Sequence, residues 1–480
     1  MHGTGVSAKG ANSGSTRSLL RPPKVTSFGA RGGGCPSRGV PAEGRMSIVR
    51  VVLAVALAFV AVDARADDLL TVVADVLEHD ATLAGSRADV EIGRLGIPRA
   101  RAGLLPRVDA GWGRTYNRIS TRDVPPVRYW QNGWTVSLTQ PLFDWERWIA
   151  YRQAGTAAAK SELDYARARQ ALMLRAGRAY FDLLAAADEL TRATDYLKAV
   201  TELHELTLHR RTAGEATMID VRETEAQLDA ARLQEIDARQ ALDSRRRAIE
   251  TLIGRPLGLL ARVPDEPPAL RLEPDDAGYW IGQAQQKSYP VQIGELDVRD
   301  AGDNARRVRA QRYPVVNLTA SHTPAGAASG YGQPTTTTSA MVTVSIPIFA
   351  GGDIQARLGQ ALAAGDKANS ALLAAVRQAG ADTRESFERL SWARARCTLT
   401  SRLVQANARA LDATQIGYRV GSRSGLDMLR AYETLFASRK ARKEAQYEML
   451  SAFLALKANV ASLDFDDIAT LNGWLTGDAR

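Results

Sequence analysis

The side chains able to do chemistry are few and scattered. Residues 67–480 hold four histidines, His79, His204, His209 and His322. None has the H-x-x-x-H or H-E-x-x-H spacing that sets two ring nitrogens on one helix face. His204 and His209 are five apart and fall on different faces. Cys35 lies near the N-terminus, which leaves Cys397 as the one later thiol, so no intrachain disulfide or thiolate cluster can be built there. A small buried residue on a helix accounts for Cys397. Gly351-Gly352 lacks the further glycines of a phosphate or dinucleotide loop, and a strand-to-helix turn explains the pair. With no nucleophile elbow either, the residues argue against an enzyme and call for no metal or cofactor.

The other chemical preference is aromatic. Five of the eight tryptophans, Trp112, Trp130, Trp134, Trp145 and Trp148, lie in one region. Amphipathic rings gathered at strand ends suit a membrane–water interface. A soluble sheet with an aromatic core is the other reading.

The elements that position these rings come in pairs. The stretch TVSLTQPLFDWERWIAY (135–151) is an alternating strand ending at Pro141, followed by helix with no proline until Pro256. MVTVSIPIFAGGDI (341–354) repeats the design. Pro141 to Pro347 is an offset of 206, Leu105-Pro106 to Tyr313-Pro314 is 208, and Ala213-Gly214 to Val420-Gly421 is 207. One offset at three anchors marks an internal duplication. The expected organisation is 67–265 as first repeat, a Pro-rich linker at 266–274, 275–465 as second repeat, and a tail over 466–480.

Alternation predicts strands over 107–117, 134–141, 313–321 and 339–347. Residues 118–132 read as a polar turn with a proline pair, and 322–338 as a flexible loop. Helix is expected over 67–103, closed by Pro98 and the turn after Gly103. Long helices follow over 144–210, with Asp144 as N-cap, and over 353–419, each with a return helix, 216–253 and 426–463. Leu183, Ala186, Leu190, Ala193, Leu197 and Val200 alternate spacings of three and four, a heptad seam. Its expected partner is the return helix, through Leu228, Leu242 and Ile249.

The net charge is +9, but residues 1–66 carry +7 and the remainder +2. The basic balance belongs to a leader, so no nucleic-acid partner is expected. Residues 1–45 are Gly-, Ser-, Pro- and Arg-rich, without an apolar pattern. Met46, Arg50, the run Val51 to Val62 and Ala64-Arg65-Ala66 read as a signal peptide cleaved after Ala66, with Met46 as start; a retained anchor is the alternative.

Four strands of about nine residues fit a tilted bilayer crossing. Four cannot close a barrel, and open edges are not tolerated in lipid. Two copies would give eight strands, which side chains nearly fill; three would give twelve, enough for a duct. The expectation is an α+β membrane protein, a homotrimer whose pooled strands close a twelve-stranded β-barrel continued by a long α-helical coiled-coil tube outside the membrane. A non-conducting periplasmic coiled-coil scaffold is the reading of a different class.

With LLPRVDAGWGRTYN, VSLTQPLF, VSIPIF and the turns TAGEATMIDVRETEAQL and YRVGSRSGLDMLRAYETLFASR, the chain resembles the TolC family of outer-membrane channels. The resemblance implies a trimeric, twelve-stranded outer-membrane β-barrel continued by a periplasmic α-helical coiled-coil tunnel, docked through a periplasmic adaptor to an inner-membrane ABC transporter. Within the family it is similar to type I secretion members that export toxins of the adenylate cyclase–haemolysin kind; a drug or metal efflux duct is the alternative. Matched by position, Asp220, Tyr418 and Arg423 would form the periplasmic latch, and Asp427 the acidic constriction. Arg430 stands where the family has a second acid, which bears on ion selectivity. Three Asp427 side chains round an axis would attract cations; capping a helix or pairing with Arg430 is the other reading.

Overall fold

The structure, a computed structural model, describes residues 67–258, 260, 264, 270, 272–325 and 335–476. The expected leader with Cys35, Met46 and the cleavage site, and most of the Pro-rich linker, lie outside these residues.

Period-two alternation becomes four antiparallel strands: β1 (Arg107–Thr121), β2 (Val124–Phe143), β3 (Val315–Ala325) and β4 (Thr335–Ser345), in sheet order β1-β2-β3-β4. The register aligns Val108, Leu138, Ala320 and Ala340 across the sheet. The next row, Asp109, Ser137, Ser321 and Ser339, faces the opposite way. Over these lower rows one face is therefore apolar and the other small and polar. Among the described residues β1 and β4 have an unpaired edge each.

The hairpins extend further than alternation suggested. Residues 118–132 are not a polar turn: they continue β1 and β2 to a tight turn at Arg122-Asp123. Pro125 and Pro126 are tolerated because they lie where the register shifts, and β3 pairing reaches only to Gly133. Residues 322–325 and 335–338 likewise belong to strands.

The helices are α1 (Leu69–His79), α2 (Ala81–Ala102), α3 (Trp145–Thr212), α4 (Met218–Ile253), α5 (Ala277–Lys287), α6 (Tyr289–Ala310), α7 (Asp353–Arg419), α8 (Gly425–Asn459) and α9 (Phe465–Thr476). The 68 residues of α3 give a length of about 100 Å. Asp144 caps α3 as expected, accepting from the Arg147 N–H at 3.0 Å. The first expected helix is broken at Asp80, which accepts from the Leu83 N–H at 2.9 Å to start α2. Pro98 does not end α2 but lies inside it, since a proline removes one backbone donor and the flanking turns hold. The final residues are helix α9 over most of their length, not a tail. No helix among the described residues is long and apolar enough to cross a membrane.

In the seam Leu183, Ala193 and Val200 are buried, and Ala186, Leu190 and Leu197 half-buried. Its partner is not α4 alone. Tyr196, Val200 and Leu203 share one core with Leu228 and Ala231 of α4, Leu411 of α7, and Leu435 and Phe436 of α8. The Tyr196 and Phe436 rings meet edge-on at 5.5 Å. A second core joins α1, the middle of α3, α8 and α9 through Leu69, Tyr180, Phe181, Leu454 and Ile468. There α3 and α8 approach closely at Gly177, where an added Cβ would lie 2.6 Å from Leu454 Cδ1. Burial of each large apolar side chain contributes about 1.5–3 kcal/mol.

Candidate channel gate and membrane face

Each long helical hairpin turns through a glycine at positive φ, Gly214 at 78° and Gly421 at 77°, and then through a capping box. Only glycine adopts that backbone freely. In the first hairpin the Asp220 carboxylate accepts from the Thr217 N–H and hydroxyl, both at 2.8 Å, while the Thr217 hydroxyl accepts from the Asp220 N–H at 3.2 Å. In the second, Asp427 and Ser424 repeat the arrangement at 3.0, 3.0 and 3.2 Å. The Ser424 N–H, then its hydroxyl, hold the Asp427 carboxyl below its ordinary value; Arg423 and Arg430 add smaller attractions. Within one chain Asp427 thus caps a helix, and no described ion pair joins it to Arg430.

Tyr418 has a different described partner from the one expected. Its ring is buried, at 6% exposure, beneath the Arg210 guanidinium, whose carbon lies 4.6 Å from the ring centre. Arg210 Nη1 donates to the Tyr418 carbonyl at 3.3 Å, and Arg210 Nε pairs with Glu215 at 3.3 Å. Asp220 and Arg423 are not joined to Tyr418 by any described hydrogen bond. Arg423 is exposed, with its own N–H donated to the Gly417 carbonyl at 3.2 Å. Further from the turns, Gln227 Nε2 donates to the Tyr196 hydroxyl at 2.6 Å and to Glu433 at 2.7 Å, linking the two hairpins again. The Tyr447 hydroxyl donates to Asp188 at 2.6 Å; burial, and then Asp188, push its ionisation well up. Sequence reasoning missed Arg210 and Gln227, because their partners lie 208 and 206 residues away.

The tryptophans do not share one level. Trp112 and Trp134 pair directly across β1 and β2 on the apolar face, and Tyr116 pairs with Trp130 four residues further up, with rings 5.1 Å apart. Trp145 and Trp148 begin α3 at the other end of the sheet. All five are exposed, from 42% to 74%.

The histidines take structural partners: His204 bonds Thr224 at 2.9 Å, and His322 bonds Thr338 at 2.7 Å. Among the described residues no group of three or more His, Cys, Asp and Glu could hold a metal. Burial pushes the Cys397 thiol up, away from reactive thiolate.

A four-stranded sheet, apolar outside and polar inside, prolonged by paired helices of about 100 Å, is the architecture of an outer-membrane duct. The sequence pattern of the outer membrane efflux protein family matches residues 72–255 and again 280–461, so the chain belongs to that family. It is a non-enzymatic channel of the TolC kind, in the outer membrane with a periplasmic helical extension. It is similar to the proteases secretion protein PrtF of Dickeya chrysanthemi, at 27% identity over 88% of this chain and 94% of that one. The alkaline protease secretion protein AprF of Pseudomonas aeruginosa is 29% identical over 82% and 84%. The crystal structure of CusC superposes with TM-score 0.73 at 15% identity, covering 82% of this chain and 92% of that one. Protein CyaE of Bordetella pertussis is 24% identical over 83% and 85%, below both protease secretion proteins.

Proposed function

We propose that this chain is the outer-membrane duct of a type I secretion system, conducting an exported protein outward from an adaptor and an ABC transporter. The observation that carries this is the likeness to PrtF and AprF, both protease secretion proteins by name, over more than four-fifths of either chain. A toxin of the adenylate cyclase–haemolysin class, which the sequence resemblance implies, is a cargo of the same kind. Three copies pooling four strands each would close a barrel of twelve and leave a lumen. The unpaired edges of β1 and β4 favour such pooling, since lipid does not tolerate them. The two sequence matches, 72–255 and 280–461, favour a duplicated subunit whose two hairpins give a quasi-sixfold wall.

In this reading the hairpin turns close the periplasmic end. Asp220, Tyr418 and Arg423 form the latch across and between subunits, with Arg210 fastening Tyr418 within each. Asp427 lines the constriction, and Arg430 offsets its charge. The test is export. The chain is expressed with a protease transporter and adaptor in a strain lacking its own duct. Protease in the medium is the expected result. Restored resistance to small toxic compounds, with protease retained inside, would overturn the protein-export reading.

A further inference from the structure

The first hairpin carries a charge pattern that conduction does not use. On the apolar face the pairs climb from Val108–Leu138 through Ala110–Val136 and Trp112–Trp134 to Arg114–Asn132, Tyr116–Trp130 and Arg118–Arg128. No register shift interrupts these rows, so all six point the same way. From Val108 to Arg118 is ten residues, about 33 Å along the strand and roughly 25 Å along the normal at barrel tilt. The apolar rows of this hairpin end at Trp112–Trp134, and Arg118 and Arg128 lie beyond them, just above the Tyr116–Trp130 pair.

Two arginines directly opposite each other in a ladder repel. Nothing described in the chain neutralises them: no ion pair involves Arg114, Arg118, Arg122 or Arg128, whereas Arg107 at the strand base is paired with Asp109 at 2.9 Å. All four arginines are exposed. Arg114 lies over the Trp130 ring, 4.5 Å from its centre, which holds its guanidinium toward the same level. A planar fork of donors matches phosphate in two-point geometry. An anion seated between Arg118 and Arg128 would convert a repulsive pair into a chelate, with the two aromatic rings beneath it packing on acyl chain or sugar.

We propose that Arg118 and Arg128, with Arg114, form a binding site on the outward barrel face for a phosphorylated glycolipid headgroup of the outer leaflet. The inference rests on the membrane-barrel reading. It does not depend on the cargo or the gate.

The test uses the full chain purified in neutral detergent, mixed with bilayer nanodiscs or micelles doped with a bisphosphorylated glycolipid. Bound lipid is counted by native mass spectrometry. Parallel arms hold the dephosphorylated glycolipid and inorganic phosphate. The expected result is retention of the phosphorylated lipid alone, weakened about thirtyfold in R118Q/R128Q, as loss of two charges at the surface implies. The control R107Q should retain it fully. Equal retention of the dephosphorylated lipid, or unchanged retention in the double variant, would overturn the site. Competition by millimolar inorganic phosphate as strong as by the lipid would assign the arginines to free anion and overturn the lipid. Planar-bilayer conductance of the same double variant keeps the two readings apart: normal current without lipid selectivity sinks this site and leaves the channel standing.

Discussion

Asp67 shows how much one carboxylate holds in place. It is the first residue after the expected cleavage point, yet it is buried, at 7% exposure. Arg255 grips it twice, at 2.9 and 3.1 Å, and reaches Asp75 at 2.6 Å; the Gly258 N–H adds a bond at 2.5 Å. Arg255, first of all, holds the Asp67 carboxyl below its ordinary value. A depressed folded pKa stabilises the protein above the unfolded value of about 3.9 and loses that stability as pH falls through the folded value. Asp67→Asn should therefore flatten the acid side of the melting-temperature profile below about pH 4 while leaving its shape near neutrality. An unchanged acid limb in thermal melts of the detergent-solubilised variant would show that the clamp carries no linkage. Nothing in the sequence reveals this clamp, because the two partners are 188 residues apart. The same distance problem hid Arg210. Asp144, by contrast, was legible, since a cap and its helix are neighbours.

Among the elements, helices and strands were read where a single period runs unbroken. The long helices α3 and α7 came out within about two residues of their expected ends. The errors have local causes. Pro98 reads from the sequence as a stop, but one lost donor does not end a helix whose flanks keep their bonds. The proline pair at 125–126 reads as part of a turn, but at a register shift the missing donors cost little. Helix α9 falls where the sequence suggests only a tail, yet its apolar residues Ile468, Leu471 and Leu475 are almost wholly buried. Its burial depends on α1, whose Leu69 N–H donates to Asn472 at 3.0 Å across the whole chain. Packing between α3 and α8 offers a sharper test. Gly177→Val would drive a branched side chain into Leu454, whose exposure is 0%, and should cost about 1–3 kcal/mol. A melting temperature equal to that of the parent would mean the two helices are not held at this distance.

For the whole molecule, the two-faced sheet with open edges and the two linked hairpins support the proposal that the assembled protein is a duct that rests closed at its helical end. Contacts between the two hairpins tie that proposal to geometry. Arg210 over Tyr418, with the Tyr196–Gln227–Glu433 chain further up, holds the second hairpin to the first. The measurement that tests this most directly is single-channel conductance of the purified protein in planar bilayers, parent beside Arg210→Ala, Asp220→Ala and Arg423→Ala. The account predicts small, steady, long-lived steps for the parent and larger steps for the variants, with assembly unchanged in detergent. Well-folded protein that inserts and passes no current, or variants with the parent's conductance, would contradict it.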